Sequence, residues 1–162
     1  MTTDDIKLLY EYNYWANKRI LSMAEQVSPA QLMMPTTFSW DSLHKTLVHL
    51  LDTEYGWRVV CDEGKTTFAW QPEEFPTLAS IQIRWNEEEK AMWAYLNKLT
   101  DENLQEPISY EVDGTIRKRI LWHCLVHVVN HGTQHRSECG AMLTDLDKSP
   151  GDMDFTIFLS ER

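Results

Sequence analysis

Residues 121–136 read Leu-Trp-His-Cys-Leu-Val-His-Val-Val-Asn-His-Gly-Thr-Gln-His-Arg, which places histidines at 123, 127, 131 and 135, each four residues after the last. Leu121, Leu125, Val128, Gly132, Cys139 and Met142 recur at helical spacing, predicting a helix from about Ile120 to Leu146 with one apolar stripe. Residues four apart lie one turn up and about 40° round, so neighbours in the histidine series can share one ion. His123 and His135 cannot, being about 18 Å apart along the axis. At most one adjacent pair therefore serves a single metal. The stripe brings His131 and His135 to or beside the inward face, and two neutral imidazoles at this spacing are a recurrent offer to zinc-like ions. The competing reading is a set of ordinary hydrogen-bonded core histidines.

Working outward, the helical period dominates the rest of the chain. Thr3 is a candidate cap for a first helix carrying Ile6, Leu9, Ala16, Ile20, Ala24 and Val27 on one face, stopped by Ser28-Pro29. Ser39 is a candidate cap for a second helix to about Cys61, ending near Gly64. Its stripe is Leu43, Leu47, Leu50, Glu54, Trp57 and Cys61, with Glu54 the one polar interruption. Residues 63–77 contain Gly64, Pro72 and Pro76 and read as a long loop. Thr77 opens a third helix with Leu78, Ile81, Trp85, Met92, Leu96 and Leu99 inward. Asp113-Gly114, between the β-prone runs 108–112 and 115–118, signals a type I′ hairpin. Pro150-Gly151 and a short apolar tail, Phe155 to Leu159, follow the last helix. The expected architecture is all-α, a four-helix bundle with a short hairpin before its last helix.

The length of 162 residues fits a single domain spanning 1–162, and 43% hydrophobic residues suffice for a substantial core. With 25 acidic against 15 basic residues, the net charge of −10 opposes binding to nucleic acid. The densest basic run, Arg117-Lys118-Arg119, is too short for a binding patch and reads as a solvated strand end or helix start. Cys61, Cys124 and Cys139 are widely spaced and odd in number, so no disulfide framework is expected and a reducing cytoplasm suits the chain. No stretch approaches the roughly 20 apolar residues of a membrane span, and no membrane partner is expected. Seven tryptophans read mainly as core and interface residues, with Trp15, Trp57 and Trp122 candidates for a cleft mouth or a subunit contact.

Two imidazoles bind an ion weakly, and the remaining candidates for a third are His44 and His49. They are five apart, so about 140° separates them and they cannot both face one site. His49 points off the leucine stripe towards Ser42, Thr46, Thr53 and Gly56, small residues that admit another helix or a ligand. Asp52 and Glu138 each follow a histidine by three residues and are candidates to accept its second ring N–H.

Four segments together resemble the DinB-like family: Tyr14-Trp15-Ala16-Asn17 with Arg19-Ile20-Leu21, His49-Leu50-Leu51-Asp52, the run from Leu125 to Arg136, and Pro150-Gly151-Asp152-Met153-Asp154-Phe155. They occur in the family's order and cover nearly the whole chain. The resemblance implies an up-down-down-up bundle, often a homodimer. It also implies a histidine triad that maps here onto His49, His131 and His135, holding a divalent metal ion. Imidazole suits zinc, nickel, iron and copper alike; zinc or nickel is expected first, iron or manganese next. Arg136 belongs to the motif and is expected to hold a carboxylate of the protein or of a substrate. Ser137-Glu138 stands where a Gly-Gln pair is common in the family.

Three protein ligands leave a coordination position for water or substrate, as in catalytic sites. The resemblance implies thiol-dependent transferases and isomerases that use small thiols such as bacillithiol, mycothiol or glutathione. The expected function is metal-dependent transfer of a thiol to a small electrophile. The alternatives are a non-catalytic metal-binding stress-response protein and a metal-dependent hydrolase.

Overall fold

Short polar side chains start every long helix but one, and they do so in a computed structural model that describes residues 1–67 and 70–162. The elements are α1 (Thr3–Ala24), α2 (Pro29–Leu32), α3 (Leu43–Glu63), a 3-10 turn at Pro72–Glu74, α4 (Leu78–Leu96), α5 (Asp101–Gln105), β1 (Pro107–Val112), β2 (Thr115–Ile120), α6 (Leu121–Thr144) and α7 (Phe155–Glu161). Thr2, rather than Thr3, caps α1 and forms a reciprocal box with Asp5. α1 stops at Ala24, before the expected Ser28-Pro29, because Ser28 is extended and caps α2 with Pro29 at its first position. Ser42, not Ser39, caps α3 by accepting from the Lys45 N–H. The left-handed backbone of Asp41 (φ 61°) delays the helix to that point. Thr77 caps α4 as the sequence indicates. Asp113 and Gly114 have φ of 50° and 72°, the pair of positive values a type I′ turn demands, and they join β1 and β2 in antiparallel register. Arg117, Lys118 and Arg119 lie within β2.

Side-chain contacts give the helix directions. Tyr10 meets Leu125, and Asn13 and Asn17 meet Arg136, so α1 and α6 run parallel. Lys18 pairs with Glu89 and Tyr14 lies on Trp93, so α4 runs opposite to α1. Trp85 meets Glu54 and Arg58 pairs with Glu88, so α3 runs with α4. The bundle is therefore up-down-down-up in the order α1, α3, α4, α6, with the hairpin inserted before α6. Its two apolar layers centre on Ile6, Tyr10, Met92, Leu104 and Leu125 at one end and Ile20, Leu47, Leu51, Ile81 and Leu143 at the other. Among the described residues, no helix is long and apolar enough to cross a membrane.

The polar interruption of the α3 stripe, Glu54, sits between those layers and is 1% exposed. A carboxylate there is costly unless every lone pair is met. Asn13 and Asn17 donate to one oxygen at 3.0 and 2.8 Å, and the Trp85 indole donates to the other at 3.1 Å. The same two asparagines accept from the Arg136 guanidinium at 2.5 and 2.9 Å. Burial raises the Glu54 pKa, while these donors and the Arg136 charge pull it back. One residue from each of α3, α4 and α6, with two from α1, thus forms a single polar knot. Gly132 makes room for it: a β-carbon there would fall 2.5 Å from an Arg136 nitrogen and 2.9 Å from the Asn13 oxygen.

Removing the carboxylate leaves the Arg136 charge buried without its counterion. Glu54→Ala is expected to destabilise the fold by about 3–5 kcal/mol. The measurement is urea unfolding of wild type and variant. A loss below about 1 kcal/mol, the range of an exposed ion pair, contradicts the knot.

Candidate metal centre

Small side chains on α3 bring α6 close to His49. Ser42, Thr46, Thr53 and Gly56 are all buried, and along this strip the ring contacts pair His49 with His131 and His135, and Trp57 with His127. The His49 ring centroid lies 4.9 Å from that of His131 and 4.7 Å from that of His135, and the latter two are 4.5 Å apart. One nitrogen from each ring converges so that no two of the three are more than 4.8 Å apart. The Nε2 atoms of His49 and His131 are 3.0 Å apart. Among the described residues, these three are the one group of His, Cys, Asp or Glu side chains so arranged.

The donors suit a cation chemically. Burial, then the neighbouring His131 and His135, lowers the His49 pKa from 6.5 to about 3. Burial, then His135 and His127, lowers that of His131 to about 4. Both imidazoles are therefore neutral at neutral pH, and across the 3.0 Å between their Nε2 atoms one donates its N–H to the lone pair of the other. His135 donates Nδ1–H to Glu138 at 2.8 Å, which fixes the ring and leaves its Nε2 as the nitrogen available to a cation. Glu138 also accepts from the Ser39 hydroxyl at 3.1 Å. The adjacent Trp40 stacks on His49 with centroids 3.9 Å apart and planes 20° apart. The segment before α3 thus covers one side of the site.

The other histidines stand elsewhere. His44 is buried and donates Nε2–H to the Phe75 carbonyl at 2.6 Å, a structural role. His127 lies beside Trp57 and 5.8 Å from His131 by ring centroid; His123 lies on Trp122. Asp52 accepts the Trp70 N–H at 3.2 Å and so ties the α3–α4 connection to α3. Arg136 reaches its carboxylate, Glu54, through Asn13 and Asn17 rather than by the direct grip expected of it. Ser39 and Trp40 were not foreseen as part of the site. They lie in an irregular segment, where periodicity carries no information about direction.

In the unfolded chain both His49 and His131 take up a proton near pH 6.5, whereas in the folded chain they do so only near 3 and 4. Their contribution is complete above pH 6.5 and is lost progressively as pH falls from there, to about 4 for His131 and about 3 for His49. The urea midpoint of metal-free protein should therefore fall across that window more steeply in wild type than in the His49→Ala/His131→Ala double variant. Parallel curves contradict the shifts.

A model of the DinB family matches residues 1–162. "Protein DinB" of Bacillus subtilis (strain 168) is 28% identical over 158 residues, covering 93% of this chain and 91% of that relative. With its helical bundle, its hairpin and its clustered histidines, this chain belongs to the DinB family.

Proposed function

We propose that His49, His131 and His135 hold a divalent metal ion and that the protein uses it to transfer a small thiol onto an electrophile. The observation that carries the reading is the convergence of three imidazoles from two facing helices, the one such group of donors among the described residues, with His49 and His131 neutral at neutral pH. A structural site closes four protein ligands around its ion, whereas three leave room for a reactant. A metal ion there supplies a Lewis acid able to bring a thiol or water to its nucleophilic state near neutral pH.

The chain's own residues organise that chemistry. Glu138 holds the His135 ring through Nδ1 and keeps Nε2 directed at the site. The Trp40 indole covers one face of His49 and screens it from water. The knot at Glu54 and Arg136 holds α3 and α6 in the register that lets His49 face its two partners. Zinc and nickel are the first candidates among the ions that imidazole suits, iron and copper included. The thiol is one of the low-molecular-weight kind.

The test is consumption of glutathione, bacillithiol or mycothiol with 1-chloro-2,4-dinitrobenzene by zinc-loaded and chelated protein. Lewis-acid help of several kcal/mol means a metal-dependent rate that falls by more than about 100-fold in His131→Ala. Tight metal binding with no thiol consumed favours a binding protein without turnover, and hydrolysis without thiol favours an activated water. Glu138→Ala, which leaves all three ligands in place, is expected to weaken metal binding by about 10–100-fold. Unchanged affinity in this variant contradicts the orienting role of Glu138.

A further inference from the structure

A groove of about 350 Å³ opens beside the triad, lined by Trp57 from α3, Tyr110 and Arg119 from the hairpin, and His123, Cys124 and His127 from α6. It adjoins the triad directly, since His127 contacts both Trp57 and His131, with ring centroids 5.1 and 5.8 Å away. From His131 down to His123 is two turns of α6, about 12 Å, the length of a small organic molecule. The pleat explains the lining. Ile108 and Tyr110 share the more buried face of β1, and Arg119, paired with Ile108, lies on that same face of β2. Trp57 and Tyr110 meet edge to face at 5.3 Å and make an aromatic wall.

Arg119 is the unusual member. Its guanidinium donates to the Lys118 carbonyl and, among the described residues, makes no ion pair. Its charge nevertheless reaches into the groove. The Cys124 thiol is held below the ordinary thiol range first by a hydrogen bond from Cys61 and then by Arg119. In a chain of net charge −10, a cation without a carboxylate beside an aromatic wall is a local reversal of sign. The imidazoles of His123 and His127 add hydrogen-bonding nitrogens along the same wall.

We propose that this groove is the acceptor subsite and takes a flat, carboxylate-bearing small molecule, with its carboxylate on Arg119, its planar part against Trp57 and its reactive end towards the triad. This assignment rests on the thiol-transfer reading above. The volume suits a small molecule and is too small for a folded partner.

The probes are 2-naphthoate and its neutral counterpart 2-naphthamide, titrated calorimetrically into zinc-loaded protein. Naphthoate is expected to bind about tenfold more tightly than the amide, the effect of one charge-assisted contact. Arg119→Gln, on an exposed strand position, is expected to abolish that preference with zinc content and helical circular dichroism unchanged. Trp57→Ala is expected to weaken both probes. Equal binding of the two probes overturns the proposal. So does a preference that survives Arg119→Gln, which places the anion elsewhere, the metal included. Thiol consumption on the same samples separates the two readings. Turnover without a naphthoate preference overturns the subsite alone. An Arg119-dependent preference without turnover for any thiol overturns the transfer reading, and with it the groove's role as acceptor subsite.

Discussion

A carboxylate buried at the middle of a helical bundle must be met from every side, and the way Glu54 is met sets the bundle's geometry. Three N–H donors reach it from α1 and α4, and the guanidinium of α6 sits behind the two asparagines. Apolar layers alone tolerate a shift of one helix along another; a network of directional bonds does not. Sliding α6 by one turn would strand Arg136 and leave Asn13 and Asn17 without an acceptor role, a penalty larger than the typical net worth of a hydrogen bond. Gly132 is the steric counterpart of that network, since any β-carbon there intrudes on the Arg136 nitrogen.

The histidine cluster inherits this register. His135 is the immediate neighbour of Arg136, and His49 lies five residues before Glu54 on the side of α3 that faces α6. Anchoring Arg136 and Glu54 therefore anchors the backbone positions of two of the clustered histidines on different helices. The rings themselves are fixed by unlike means. Glu138 holds His135 by a hydrogen bond and Trp40 holds His49 by stacking, while His131 is held chiefly by its contacts with the other two imidazoles. Covering on the Trp40 side and an aromatic groove on the His127 side give the site two different approaches.

Much of this was legible in the chain itself, and the parts that were not share a cause. Helical periodicity located the four long helices, Asp113-Gly114 located the hairpin, and four-residue spacing put His131 and His135 on one face. Geometry left open which histidines meet, and the resemblance to a known family named His49, which the fold does bring to His131 and His135. Glu54 was visible only as a gap in a leucine stripe, because its partners are 31 to 41 residues away or further and no local pattern connects them. Cys61 and Cys124, remote in sequence, are likewise brought into contact by the antiparallel packing of α3 and α6. Helix starts moved by one to three residues where a bond to a carboxylate far along the chain, Ser39 to Glu138 or Thr3 to Asp101, took the side chain expected to cap.

The most direct measurement is an anomalous diffraction experiment on crystals of the protein loaded with cobalt or zinc, with data on both sides of the metal edge. A single peak per chain, within bonding distance of the His49 and His131 nitrogens and of His135 Nε2, with Glu138 still on His135 Nδ1, is the predicted result. A peak that leaves out any of the three rings, or no peak after loading, would contradict the account.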